Sequence, residues 1–392
     1  MATRRLFLGG LAASALGGIA LASELRPRIT DEPAAGVRRL AVDAHTLPLT
    51  IVNNTGEWDN ASIHFCIVGV DRITGRQSRI TPEGAIVPVS LDDNGPDGYA
   101  DYSIPLQSSG NTTINLSSMS GRVYFSLGEK LKFRVNPGDA LAYPAGWVST
   151  DPNYQVMHDC MEFTFDDTGM YCNTTMVDMF SVPLEIRLTG EQSQTTGTLV
   201  DGGRAGIFAG VGQNPDFARL VVDDLRVIAP GHGINSGLFD ANYFDPYIDQ
   251  VWSRYTSENL TVNANNRTFT GRVDGDVFEF DGGVTGFRRP TTSDVLFCNG
   301  ALDAPNDGVT GPVAAVLGSG LNRSTLHDDP VAPSTDPTTF YRTPVSNHYS
   351  RVLHENAVDG RSYGFPFDDV AEFASYIQDH APTGITVTLT PF

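Results

Sequence analysis

The sequence predicts a mainly β protein with a mixed α/β segment set into it, and three observations carry that expectation. Short apolar or alternating runs recur between Gly, Pro and Asn clusters through the first half of the chain, the beat of a sandwich or barrel. From about residue 186 the texture changes and helix signals enter. The tail then returns to alternation and ends in a strand from Gly384 to Leu389. Composition agrees: the 392 residues are 40% hydrophobic and 18% charged, a balance that folds. Forty Gly and 24 Pro suit turns better than a helical bundle.

Residues 1–23 read as an export leader. Thr3-Arg4-Arg5-Leu6-Phe7-Leu8 is a charged start with paired arginines, followed by a Gly/Ala-rich apolar run to Leu21 and small residues near Ala22. The pattern resembles a twin-arginine signal, which carries folded proteins out. The rival reading is a membrane anchor, but the apolar run is too short to span roughly 30 Å of hydrocarbon comfortably. The expected location is therefore outside the cell, with no membrane association after cleavage.

A linker occupies 24–44, and the first part of the β domain follows at 45–185. Its strands are expected at Leu47 to Asn53, Ser62 to Val70, Thr112 to Leu116, Gly121 to Leu127 and Leu131 to Val135, and Asp92 to Asp101 reads as a turn rather than a calcium loop. The mixed segment is assigned to 186–337. It opens with a helix from Gly203 to Val211 and a β-leaning run from Ala218 to Ala229. Asp245-Pro246 next offers an N-cap and a first-turn proline, and Tyr247, Ile248, Val251, Trp252 and Tyr255 form the buried stripe of an amphipathic helix. A further helix runs from Gly311 through Leu317. Residues 338–392 complete the β domain, which makes the mixed segment an insertion.

With 46 Asp and Glu against 26 Lys and Arg, the formal charge is -20. Such a surface repels phosphate backbones, so no nucleic-acid partner is expected. The eight histidines show no metal-ligand spacing and there is no CxxC, so neither metal nor cofactor is expected. Four cysteines, Cys66, Cys160, Cys172 and Cys298, allow three pairings in an exported protein. Cys160 with Cys172, flanking a hairpin, is the expected disulfide, and free buried thiols are the alternative.

The stretch from Cys160 to Val182 carries the chemistry. Apolar and polar residues alternate through Met161-Glu162-Phe163-Thr164-Phe165-Asp166, which sets Glu162, Thr164 and Asp166 on one face of a strand. After a turn at Asp167-Thr168-Gly169 the chain returns, and Asp178 stands as a lone carboxylate in an apolar run. Burying it without a partner costs several kcal/mol, so it borders a cleft or has a dedicated donor. Two carboxylates on neighbouring strands are what glycosidic hydrolysis uses, one to protonate the leaving oxygen and one to activate water. The plain alternative is an exposed Glu and a structurally bonded Asp.

The wording MEFTFDDTGMYCNTTMVDMFSVPLEI (161–186) resembles the active-site segment of glycoside hydrolase family 64, the laminaripentaose-producing β-1,3-glucanases, and more distantly that of thaumatin-like proteins. PLTIVNNTG (48–56), YPAGWVSTDPN (143–153), VIAPGHGINSGLF (227–239) and NGALDAPNDGVTGPVA (299–314) agree, and the likeness runs from about residue 46 to the end. It implies a thaumatin-like β-barrel and an α/β domain bounding a wide groove for a β-1,3-glucan chain. It also implies an inverting mechanism, with Glu162 as general acid and Asp178 as general base. The sugar contacts it implies are Thr164, Asp166, Tyr171 and Thr175, where Asp166 stands for an Asn and Tyr171 for a Trp. Trp147 in its Gly/Pro loop, and Asp303 and Asn306 in a loop of the mixed segment, are further candidates to face the glycan. The expected protein is a monomeric secreted hydrolase that releases short laminari-oligosaccharides. The alternative is a thaumatin-like glucan-binding protein without catalysis.

Overall fold

The computed structural model describes residues 46–392; the expected leader and linker lie outside the described residues. Leu47, Leu49 and Ile51 alternate as buried positions along the strand Thr46–Asn53. This strand pairs antiparallel with Thr112–Ser117 and parallel with Gly384–Leu389. Leu184–Thr189 lies on the other side of Gly384–Leu389, and Ser193–Thr196 completes a five-stranded sheet. The last strand of the chain is thus the middle strand of the first sheet.

A second sheet runs in the order Tyr376–Asp379, Gly169–Asn173, Met157–Asp166, Met119–Leu127, Ile63–Asp71, Gln77–Ile80, Ile86–Pro88, with Ile104–Pro105 added beside Ile63–Asp71. Leu49, Ile51 and Val387 of the first sheet share one core with Phe65, Phe125, Phe163 and Phe165 of the second. This is sheet-on-sheet packing, with every second residue turned inward. Gly69 faces Gly121 across the strands, and a Cβ on Gly121 would stand 2.2 Å from the Val68 carbonyl oxygen. Only glycine permits that approach, and it sits next to Arg122.

The remainder is mixed. Met179–Phe180, Arg226–Ile228 and Val221–Val222 form a three-stranded sheet, and Phe287–Arg288, Val277–Phe280, Arg267–Asp274, Leu260–Ala264 and Val331–Ala332 a five-stranded one. Helices Gly203–Gly212, Asp245–Arg254, Thr310–Asn322 and His348–Glu355 pack on them in one apolar core. All five stripe residues of the Asp245–Arg254 region are buried. Phe244 caps that helix, so Asp245 sits in the first turn. The mixed core continues past residue 337, because Tyr349, Val352, Leu353 and Val370 belong to it, and sheet structure resumes at Tyr376–Asp379.

Three further expectations change. Leu131 to Val135 is not one strand: Phe133 makes a single bridge to Ala100, and only Arg134–Asn136 pairs, with Ala140–Ala142. The Ala218 to Ala229 run breaks at Asp223, whose φ of 44° turns the chain between Val221–Val222 and Arg226–Ile228. The Cys160–Cys172 disulfide is not formed; all four cysteines are free and buried. Cys172 faces Phe163 across the hairpin and lies in the inter-sheet core, whereas Cys160 is on the opposite face with Tyr124 and Phe133. Two side chains on opposite faces of a sheet cannot bond without rebuilding it.

Candidate active site

Cross-strand register assembles the site. Glu162 stands on the strand Met157–Asp166 with Arg122 opposite on one side and Asn173 on the other, and Tyr376 lies beyond Asn173. One row along, Ser120, Thr164, Tyr171 and Gln378 face the same way. The inward face of these strands is apolar, so this row is the polar face that the alternation of residues 161–166 predicts.

Arg122 is the hub. Its Nε and Nη2 donate to Glu162 Oε1 at 3.1 and 2.8 Å, while Nη1 donates to Asp178 Oδ2 at 3.2 Å and to the Tyr124 hydroxyl at 3.3 Å. A planar guanidinium with fixed donor directions therefore spans both carboxylates at once. Glu162 Oε2 accepts from Asn173 Nδ2 at 3.4 Å. The Glu162 and Arg122 side chains are each 9% exposed and Asp178 is 21% exposed, so the base candidate opens furthest to solvent.

Asp178 lies in an irregular stretch just before Met179–Phe180 and not on the return strand of the hairpin, as the sequence suggests. The dedicated donor its apolar setting demands is present twice. His232 Nε2 meets Oδ1 at 2.8 Å and Arg122 holds Oδ2. Burial alone pushes this carboxyl up, but the His232 bond and the Arg122 charge outweigh it and hold it down at about 2. Asp159 ties the two carboxylate-bearing segments together. It sits three residues before Glu162, and its Oδ2 accepts the Ser181 and Val182 N–H groups at 2.8 and 3.1 Å, just after Asp178.

The other expected site residues divide. Thr164 is buried and bonded to the Ser120 hydroxyl at 2.8 Å. Thr175 is buried beside Asp178, where its Oγ1 has no hydrogen-bond partner among the described residues. Thr175 borders a small cavity of about 10 Å³ together with Arg122, Tyr124, Trp147 and Asp178. Tyr171 directs its hydroxyl to Thr168, at 3.3 Å from the carbonyl oxygen. Asp166 is engaged by the Arg72 guanidinium at 3.2 Å and by the Thr168 N–H and hydroxyl. Burial opposes these bonds, but together they hold its carboxyl below the usual range. Its charge is therefore met locally by Arg72 and Thr168. Trp147 is only 8% exposed and stacks on the His232 imidazole at 4.2 Å and 26°. Asp303 and Asn306 lie exposed in the loop before Thr310–Asn322, and none of the hydrogen bonds of the two carboxylates reaches them.

Arg122, His232 and Asn173 are central to this geometry, yet the sequence flags none of them individually. A second cavity, of about 180 Å³, adjoins the edge strand and is lined by Gln194, Arg361, Glu372, Tyr376 and Gln378. Tyr376 and Gln378 continue the polar rows outward from Glu162 and Thr164.

Comparison with known proteins gives a consistent picture. The family model for glycoside hydrolase family 64, β-1,3-glucanase, matches residues 45–389. Glucan endo-1,3-β-glucosidases of Cellulosimicrobium cellulans and of an Arthrobacter species (strain YCWD3) are each 34% identical over 301 residues, 72% of this chain and 54% of theirs. The chain thus spans about half the length of the curated relatives it matches. The crystal structure of a laminaripentaose-producing β-1,3-glucanase with laminaritetraose superposes with a TM-score of 0.82 at 37% identity, covering 89% of this chain and 99% of that one. A β-1,3-glucanase domain of the same family from Clostridium beijerinckii gives 0.78 at 26% identity, covering 88% and 98%.

Proposed function

The chain belongs to glycoside hydrolase family 64, the β-1,3-glucanases, and on that footing we propose that it hydrolyses β-1,3-glucan to short laminari-oligosaccharides with Glu162 as acid and Asp178 as base. The observation that carries this reading is the carboxylate pair held by one guanidinium, with Asp178 kept ionised by two donors.

Division of labour follows from the hydrogen bonds. Asp178, held at about 2, is an acceptor at every pH well above that, which suits removal of a proton from attacking water. Glu162 Oε1 is occupied by two Arg122 N–H bonds, so the proton for the leaving glycosidic oxygen belongs on Oε2, beside Asn173. An inverting reaction needs room for water between the groups, a separation of roughly 6.5–9.5 Å, whereas a covalent route needs roughly 5–5.5 Å. In our reading the second sheet is the floor of a thaumatin-like barrel and the mixed region, inserted into it, walls a groove. The glucan runs along the rows of Thr164, Tyr171, Tyr376 and Gln378, and Thr175 contacts it beside the base. Uncharged rows of this kind suit a neutral polysaccharide despite the acidic surface. Residues 1–23 direct folded export, and no helix among the described residues is long and apolar enough to cross a membrane.

Incubation of wild type, Glu162→Gln and Asp178→Asn with laminarin and curdlan tests this. Wild type should release short oligosaccharides, and each variant should lose about 10²–10⁴ in rate. Near-wild-type rates in both variants contradict the roles. A wild type that sediments with curdlan but releases nothing is a glucan-binding protein instead.

A further inference from the structure

The Asp178 carboxylate is gripped from two halves of the molecule, and the second grip is built into the backbone. Met179 pairs with Ile228, and the Ala229 N–H donates to the Asp178 carbonyl at 3.1 Å. Pro230 then opens the short helix Pro230–Asn235, a position where proline's missing N–H costs nothing. His232 is therefore fixed at a set offset from Asp178 by a ladder that begins on Asp178 itself. Its imidazole has one slot: Trp147 stacks on one face at 4.2 Å and Phe297 meets it edge-on at 5.2 Å. The flanking glycines allow this seat. A Cβ on Gly231 would lie 2.8 Å from the Phe297 ring, and one on Gly233 would lie 2.4 Å from Leu220.

The Trp147 side of the slot is also braced. Arg226, fully buried, donates to the Gly146 carbonyl at 2.9 Å and to the Val156 carbonyl at 2.6 Å. The order of support is thus Arg226, the Gly146-Trp147 turn, His232, Asp178.

A terminal carboxylate torsion is broad and two-fold, so one hydrogen bond does not fix its plane. Arg122 alone leaves Asp178 free to pivot about Oδ2; a second donor on Oδ1 removes that freedom. An ionised carboxylate only accepts, so Nε2 carries the hydrogen, and the bond holds whether or not Nδ1 is protonated.

We propose that His232 is the positioning residue of the base: its Nε2–H sets the plane of the Asp178 carboxylate toward the attacking water, with Trp147 and Phe297 locking the ring that does so. This rests on Asp178 being the base. Misplacement of a reacting group by about 1 Å costs on the order of 100-fold in rate, which gives the scale of the effect.

The charged and titratable groups facing the pair are Arg122, Tyr124, Cys160 and Glu162 from the sheet and Tyr349 from the His348–Glu355 helix. Burial pushes Tyr124, Cys160 and Tyr349 well above their ordinary values. Glu162 is common to every variant, so a difference in the acid limb between His232 variants traces to Asp178.

The test measures kcat and KM from pH 2 to 8 on a soluble laminari-oligosaccharide for wild type, His232→Phe, His232→Gln and Asp178→Asn, with melting curves for each. Phe keeps the stack and loses the donor, so kcat should fall about 10–100-fold with KM little changed, and the acid limb should move to higher pH. Gln presents an Nε2–H and should recover most of the rate and the wild-type limb. Wild-type kcat and limb in His232→Phe overturn the proposal. So does a His232→Gln as impaired as His232→Phe when both melt like wild type. Should the Phe variant not fold, the Gln limb decides: unmoved supports the proposal, raised overturns it. A wild-type rate in Asp178→Asn overturns the base assignment itself and is thereby distinguished from failure of the His232 role alone.

Discussion

Arg122 lets two acidic side chains share one buried place. Replacing it with Met removes the only guanidinium seen between Glu162 and Asp178 among the described residues and leaves both carboxylates without their shared cation. Breaking such an arrangement costs about 3–5 kcal/mol, so Arg122→Met should lower stability by that amount in urea titration and abolish turnover. A loss below about 1 kcal/mol contradicts the account. Asp178 also gives a pH signature. Its carboxyl falls from 3.8 to about 2 on folding, so the folded state favours the ionised form. That contribution, about 2 kcal/mol, is present above pH 4 and is lost as pH falls toward 2. Denaturation at pH 5 and pH 3 should show the drop in wild type and a smaller one in Asp178→Asn. The requirement that Asp178 have a donor was legible from its apolar setting. The donors themselves were not, because Arg122 is 56 residues before it and His232 54 residues after. Each sits in a run that reads locally as an ordinary strand or turn.

At the scale of elements, alternation through Met161-Glu162-Phe163-Thr164-Phe165-Asp166 was enough to set the polar face, and the structure keeps it. The same register argues against the disulfide. Once Asp166 faces Gly169, Cys172 must face Phe163, on the side of the sheet away from Cys160. Thiol titration should therefore find four reactive groups in denaturant and almost none in the native protein, and reductant should leave the melting temperature unchanged. Two thiols in denaturant contradict the fold of this hairpin. Gly146 is the tight point of the Trp147 turn: a Cβ there would lie 2.0 Å from Arg226 Nη1 and 2.8 Å from His158 Cε1. Gly146→Ala should cost about 1–3 kcal/mol of stability and reduce kcat through the displaced Trp147 and His232. Nothing local in the sequence marks this, since the neighbours that crowd Gly146, Arg226, His158 and Met179, come from three other strands.

Over the whole molecule, the regular beat of strands and turns was readable, as was the terminal strand Gly384–Leu389, whose ends match the sequence expectation. Its place was less obvious: it fills the gap between Thr46–Asn53 and Leu184–Thr189, and Ile385, Val387 and Leu389 are buried there. Deleting residues 384–392 should therefore abolish cooperative unfolding and soluble expression, whereas an edge strand would tolerate removal far better. The limit of the mixed region was harder to read because the His348–Glu355 helix is short, and its apolar face joins a core made mostly from residues before 337. The central claim is that this assembled pair hydrolyses β-1,3-glucan with inversion, and the anomeric form of the first product reports it directly. Proton NMR of a laminari-oligosaccharide digest, followed from the first minutes, should show the α-anomer of the new reducing end before mutarotation. Initial appearance of the β-anomer contradicts the acid/base pairing of Glu162 with Asp178.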